Sequence, residues 1–520
     1  MNTLQLAAAY THGVRGLISA YLVTALCMGV GLIQQRASLS DYLRWPIRAA
    51  LLCGAALAFW ALVRSVLPPM GSPMLHAIVP VGGFIYLTVV GYLGGRSHDR
   101  DSRALRVERG ARLRDAPPAR SRTGVLRLAG VNVPAGDETK HFKLLGTTGT
   151  GKSTAIRELL GTALARGDRA IVADPDGSYL QRFYDPGRGD QILNPFDPRA
   201  ARWSLFAELN SAYDIEQLAR ALVPEHGDGA GREWRAYART LFCAITRQLH
   251  DAQETDLALL YRLLTSAAAR ELRVLVAGTA AEPLLETNNA RMFGATRAVL
   301  STAVAALEHV AAQAGAQLSV RAWVRTGRGV LFLPYSAGQI AALHSLIATW
   351  LRLGIFEAMS QPEGDQRLWF VVDELDALGA IDGLKDALAR LRKFGGRCVL
   401  GMQSIAQVRA CYGEADARTI VENCSSSLIL RCSASEAGGT AQFASQLIGD
   451  RQVRRREYAH SVSRPAWYSG GAPRYQRTLS ERTHIEPAVL AAEIEQLADF
   501  HGYLKLASRP EWLRVQIRNA

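Results

Sequence analysis

Nine residues, Gly146-Thr147-Thr148-Gly149-Thr150-Gly151-Lys152-Ser153-Thr154, leave this 520-residue chain few folds to choose from. The first eight fill the pattern G-x-x-x-x-G-K-[ST]. The glycines let the backbone curl so that its N–H groups face a β-phosphate, and the next helix turns its positive N-terminus to the anion. In such a loop Lys152 reaches the β- and γ-phosphates, while the Ser153 hydroxyl ligates Mg²⁺. The loop works only between a strand and a helix, and both are legible. "HFKLL" is a short apolar strand leading in, and "STAIRELLGTALARG" is an amphipathic helix closing at Gly167. "RAIVADPDG" (169–177) then reads as a buried parallel strand ending in acidic residues, as a βαβ unit requires. The expected cofactors are therefore ATP and Mg²⁺.

A phosphate loop needs a partner carboxylate. "LWFVVDELDALG" supplies an apolar strand with Asp373 and Glu374 at its end: Asp373 for the Mg²⁺ shell beside Ser153, Glu374 to polarise the attacking water. "GRCVLGMQSIAQV" is a further strand carrying Gln403 at its end, where a polar side chain can sense a γ-phosphate; alone, it would read as a helix-start residue. Before that strand, "ALARLRKFGGR" offers Arg390, Arg392, Lys393 and Arg397. These are either charge on a solvated face or, for one of them, an arginine supplied to a neighbouring subunit.

Residues 212–322 have another texture, Ala/Leu-rich with helical spacing, and read as an all-helical insertion. Strand signals resume at "GRGVLFLPYS" and are followed by a long helix to about Met359. Near the end "HGYLKLASRPEWLRVQI" reads as a hairpin turning at Arg509–Pro510, and residues 450–477 as a basic and aromatic loop suited to phosphate contact and base stacking.

The first hundred residues are crowded with apolar side chains. Gly16–Gln35 and Met74–Gly95 are each long enough to cross a bilayer, and Ala49–Val63 is shorter and framed by Arg48 and Arg64. The arginines following Gly95 put that flank in the cytoplasm, giving three spans with the N-terminus outside, or a two-span hairpin with it inside. The net charge of +13 favours an anionic partner, nucleic acid or an acidic membrane surface. The seven cysteines show no metal-type spacing and read as small core residues.

Taken in order, "GTTGTGKS", "ADPDG", "ILNPFDPRAARWSLF", "VVDELDALG" and "LGMQS" resemble the type IV secretion coupling proteins, the TraD/TraG-like ATPases of conjugation, over about residues 125–510. The resemblance implies an α/β fold: a RecA/FtsK-like P-loop nucleotide-binding domain with an all-helical insertion, preceded by transmembrane helices. Its parts would be an anchor (1–96), a basic cytoplasmic linker (97–124), the first part of the nucleotide-binding domain (125–211), the all-α insertion (212–322) and the second part with the hairpin (323–520). It implies a homohexameric ring at the bacterial inner membrane. That ring would pass single-stranded DNA, with its relaxase and relaxosome proteins, to the inner-membrane components of the secretion channel. It places Lys152 and Ser153 in the phosphate-loop pair, Asp373 and Glu374 in the second acidic motif, and Gln403 downstream. Arg392 falls where the family has its arginine finger. The chain ends soon after the motor, which disfavours a double-stranded DNA translocase of the FtsK type; a substrate-docking receptor remains the other reading. No LSGGQ-like or N-K-x-D sequence supports a transporter or a GTPase switch.

Overall fold

The computed structural model describes residues 18–27, 29–30, 46–47, 49–51, 53–55, 58, 88–89, 106–117, 124–224, 230–435, 439–463 and 474–518. The chain divides into two compact units, Met1–Arg109 with Gln452–Ile485, and Gly110–Arg451 with Glu486–Ala520.

In the first unit Ile18–Cys27 is a short apolar helix, in which Thr24 donates its hydroxyl to the Ala20 carbonyl at 2.8 Å. Most of the three expected spans lies outside the described residues. Arg106–Gly110, Asp450–Ser463 and Arg474–Pro487 form a three-stranded sheet. The basic and aromatic segment expected to be a loop is thus strand on either side of residues 464–473. Its sequence has no apolar face, so burial patterning gave no sign of a ribbon that backbone pairing stabilises.

The second unit is built on a ten-stranded sheet. Its strands are β1 (Leu113–Asp115), β2 (Phe142–Leu145), β3 (Arg169–Pro175), β4 (Gln191–Ile192), β5 (Val330–Tyr335), β6 (Leu368–Val372), β7 (Gly396–Met402), β8 (Ser426–Ile429), β9 (His501–Lys505) and β10 (Trp512–Gln516). In space they run β1-β10-β9-β8-β2-β7-β6-β3-β5-β4. The strands from β8 to β4 are parallel, and β9 pairs antiparallel with β8 and with β10. The central strands are buried at nearly every position, and mostly apolar, because both faces are covered. In β3, for example, Ile171 and Ala173 join one core while Ala170 and Val172 join the other. The second core holds α1 (Lys152–Ala165) through Ala155, Ile156, Leu159, Leu160 and Ala163.

The first core extends without a break into the helices between β4 and β5. After α2 (Ser178–Phe183), which precedes β4 and packs into the second core through Tyr179 and Leu180, these are α3 (Ala212–Leu222), α4 (Ala230–Asp251), α5 (Leu257–Thr265), α6 (Ala269–Leu275), α7 (Ala290–Val304), α8 (Leu307–Ala312) and α9 (Val320–Thr326). Leu218, Phe242, Leu260 and Leu300 share that core with Ile171 and Phe370. The helical region is therefore bolted to the sheet rather than hung from it. Its two ends are clamped together: Arg202–Trp203 pairs in parallel with Gln317–Leu318. Beside this pairing the buried Glu208 carboxylate accepts from Trp203 Nε1, Ser319 Oγ and the Val320 and Arg321 N–H groups.

After β5 comes α10 (Ile340–Ser360), the one helix among the described residues long and apolar enough to cross a membrane. Two thirds of its most apolar stretch is buried in the core. Gly354 lets it approach the sheet, where a Cβ would stand 2.7 Å from Ile171. The chain continues through α11 (Leu384–Arg390), α12 (Ile405–Tyr412), α13 (Glu414–Asn423) and α14 (Gly439–Ile448).

Candidate active site

The loop from Gly146 to Thr154 joins β2 to α1, so its position follows from the pairing of β2 between β7 and β8. Gly149 and Gly151 have φ of +79° and +104°, the region that only glycine enters at little cost. Thr150 Oγ1 donates to the Thr147 carbonyl at 2.7 Å, and the Thr147 N–H donates to the Arg431 carbonyl at 2.9 Å. From below, the Phe500 N–H donates to the Thr150 carbonyl, and a Cβ on Gly151 would meet the Phe500 ring at 2.8 Å. The C-terminal hairpin thus props the loop. Sequence reading found the hairpin but gave no sign of that support. Thr148 and Gly149 remain exposed, and Ser153 and Thr154 are half-buried at the start of α1.

The end of β6 faces the loop. Ser153 Oγ donates to Asp373 Oδ2 at 2.6 Å, and Lys152 Nζ stands 3.9 Å from Asp373 Oδ1. A lysine and an aspartate are held side by side here, each almost fully buried. Yet neither Lys152 Nζ nor Asp373 Oδ1 makes a hydrogen bond within the described residues. Buried charged groups need partners. An ammonium and a carboxylate oxygen left open next to a loop of glycine N–H groups fit a phosphate chain and its divalent cation. Lys152 would hold the phosphates, and Ser153 with Asp373 the cation.

At the end of β7, Gln403 Nε2 donates to Glu374 Oε1 at 2.7 Å. Burial raises the Glu374 carboxyl above its ordinary range, Lys152 opposes that shift and Asp373 adds to it. The neighbouring strand ends contribute residues that motif reading passed over. Burial pushes the Asp174 carboxyl at the end of β3 up to about 6, against the pull of the Tyr179 and Leu180 N–H groups it accepts from, and nearby Asp373 pushes it further the same way. Tyr179 donates its hydroxyl to Asp373 Oδ2 at 2.8 Å. Tyr335, ending β5, keeps a buried hydroxyl that makes no hydrogen bond among the described residues; burial raises it, and Glu374 and Asp373 reinforce that. The only sequence signal for these was the acidic end of "ADPDG". Gly401 completes the arrangement, because a Cβ there would lie 2.0 Å from the Asp373 carbonyl oxygen.

The basic cluster divides. Arg397 is buried, paired with Glu138 at 3.2 Å and Asp365 at 2.8 Å, and so belongs to the scaffold. Arg390, Arg392 and Lys393 are exposed. Arg392 precedes β7 whereas Gln403 follows it, which puts them roughly 20 Å apart at about 3.3 Å per strand residue. Its field is felt by His141 at the start of β2. Arg392 therefore lies at the opposite edge of the sheet from Lys152, Asp373, Glu374 and Gln403, away from this chain's own loop.

Residues 125–518 match the family described as the type IV secretion-system coupling protein DNA-binding domain. Coupling protein TraD of Escherichia coli (strain K12) is 29% identical over 391 residues, 73% of this chain and 53% of TraD, so the chain spans about half the length of that relative. Plasmid coupling protein TrwB, solved with the ATP analogue ADPNP, superposes with a TM-score of 0.69 at 30% identity, covering 80% of this chain and 95% of TrwB. TrwB solved with ADP and Mg²⁺ gives 0.67 at 30% identity, over 77% and 90% of the two chains. With the loop, the acidic strand end and the helical insertion arranged as described, this chain belongs to the family of type IV secretion coupling proteins.

Proposed function

We propose that this chain is the inner-membrane ATPase of a conjugative type IV secretion system, joining a relaxase–single-stranded DNA substrate to the channel and driving its transfer. One observation supports this above others. Lys152, Ser153, Asp373, Glu374 and Gln403 converge from three adjacent strands at one end of the sheet, in a chain of the coupling protein family. The TrwB complexes with ADPNP and with ADP and Mg²⁺ support ATP and Mg²⁺ as ligands here.

When bound, the magnesium nucleotide supplies the phosphoanhydride bond to be cleaved. Lys152 neutralises phosphate charge, and Ser153 and Asp373 hold the cation. Glu374, kept in place by Gln403, accepts a proton from the attacking water. Arg392 serves the site of the next subunit in a homohexameric ring, since it is exposed and remote from its own. The apolar N-terminal segments anchor the ring in the bilayer.

The test is ATP hydrolysis by the full chain with and without single-stranded DNA, alongside transfer in a mating assay. Lys152→Ala is expected to abolish both. Hydrolysis indifferent to DNA, together with transfer that survives Lys152→Ala, would refute the reading.

A further inference from the structure

Asp373 is gripped by more than the phosphate loop. Its Oδ2 accepts two hydroxyl protons, from Ser153 at 2.6 Å and from Tyr179 at 2.8 Å, while Oδ1 accepts none within the described residues. A serine hydroxyl has one proton and two lone pairs. By giving its proton to Asp373, Ser153 keeps both lone pairs for a cation. Tyr179 does something different, because its oxygen is a donor to the carboxylate and sits in the core.

Tyr179 is built in with care. It is fully buried, and the Arg157 guanidinium, one turn along α1 from Ser153, lies 5.8 Å from its ring centroid. Its backbone N–H donates to Asp174 Oδ1 at 3.0 Å, and that of Leu180 donates to Asp174 Oδ2 at 2.7 Å. Asp174 is itself fully buried at the end of β3. The turn between them places Asp176 and Gly177 at φ of +58° and +66°, and the Asp176 N–H donates to the Tyr335 carbonyl at 2.7 Å. A strained turn and a buried carboxylate thus fix one phenol against one carboxylate oxygen.

Resting on the nucleotide reading above, the geometry points to Tyr179 as a positioning residue that keeps Asp373 open for the divalent cation. The alternative partner for Asp373 is close by, since Lys152 Nζ is 3.9 Å from Oδ1. With only Ser153 to hold it, the carboxylate is free to turn onto the lysine and close an ion pair across the place where cation and phosphates belong. The phenol anchors Oδ2 and so keeps Lys152 and Asp373 apart.

Tyr179→Phe preserves the ring and its packing and removes only the donor. The experiment titrates the full chain with a fluorescent ADP analogue, first in EDTA and then across a range of Mg²⁺ concentrations. Expected is an unchanged metal-free affinity with the Mg²⁺ midpoint raised about tenfold, the size of effect for one hydrogen bond to a charged group. In an Asp373→Asn background the same substitution should shift the midpoint no further. An unchanged midpoint in Tyr179→Phe overturns the inference. So does an equal loss of affinity in EDTA and in Mg²⁺, which is the mark of a merely structural role. Failure of the wild-type chain to bind the analogue at all would instead remove the nucleotide reading on which the inference rests.

Discussion

Gln403 holds the Glu374 carboxylate at 2.7 Å, tying together the ends of two neighbouring parallel strands, β6 and β7. The carboxylate is half-buried and raised by that burial, so it has the basicity to take a proton from water provided it points at the water. Gln403→Ala should therefore lower kcat for ATP by about 10- to 100-fold with little change in KM, because orientation of a base is felt in the transition state. Steady-state phosphate release measures it. An effect confined to KM would show that Gln403 binds substrate instead.

Arg392 tests whether subunits complete one another. Its distance from the phosphate loop of its own chain predicts that Arg392→Ala binds the ADP analogue as the wild type does. Hydrolysis should fall by about 10³-fold or more, as for other arginines supplied across an interface. Arg390→Ala should stay near wild-type rate. Mixing the Arg392→Ala and Lys152→Ala chains should restore part of the activity, since each supplies what the other lacks. Absence of recovery in mixed rings that demonstrably form would count against sharing.

Gly401 is a packing constraint at the site. A methyl group there would overlap the Asp373 carbonyl, so β6 and β7 must part to admit it. Overpacking of this kind costs about 1–3 kcal/mol, and here it falls on the strand that carries Asp373 and Glu374. Gly401→Ala should lower the unfolding midpoint and weaken Mg²⁺-dependent nucleotide binding together, as urea titration and ADP binding would show. Loss of neither would mean that the strand ends are more pliable than their packing indicates.

The start of β2 carries a pH sensitivity. His141 is buried; its Nε2–H donates to the Leu388 carbonyl and its Nδ1 accepts from the Cys398 N–H, which requires the neutral ring. Burial, with a contribution from Arg392 against that of the Leu388 carbonyl, drops its pKa to about 4. Above pH 6.5 the ring is neutral folded or unfolded and pH has no leverage. Between 6.5 and 4 the unfolded chain takes a proton that the folded chain refuses, so stability falls by about 3 kcal/mol in all. Urea unfolding at pH 7.5, 6.0 and 5.0 should show this slope reduced in His141→Asn. An identical slope in the variant would assign the acid sensitivity elsewhere.

Local chemistry was enough to write down the strand, loop and helix around "GTTGTGKST", the acidic end of β6, the helical texture after Ala212 and the closing hairpin. Each is a matter of short-range rules: glycine where φ is positive, apolar runs where both faces are covered, a 3.6-residue period where one is. The order of strands was a different matter. It is the pairing of β2 between β7 and β8, and of β6 between β7 and β3, that brings Ser153 and Tyr179 onto Asp373 and Gln403 onto Glu374, hydrogen bonds that join residues up to 220 positions apart. The strands Asp450–Ser463 and Arg474–Pro487 were not legible because backbone pairing leaves no periodic trace in a sequence with no apolar face. Tyr179 and Phe500 look like ordinary core aromatics in a linear reading. Only the fold shows that one braces a carboxylate and the other a phosphate loop, since a side chain's role depends on which neighbours long-range pairing sets beside it.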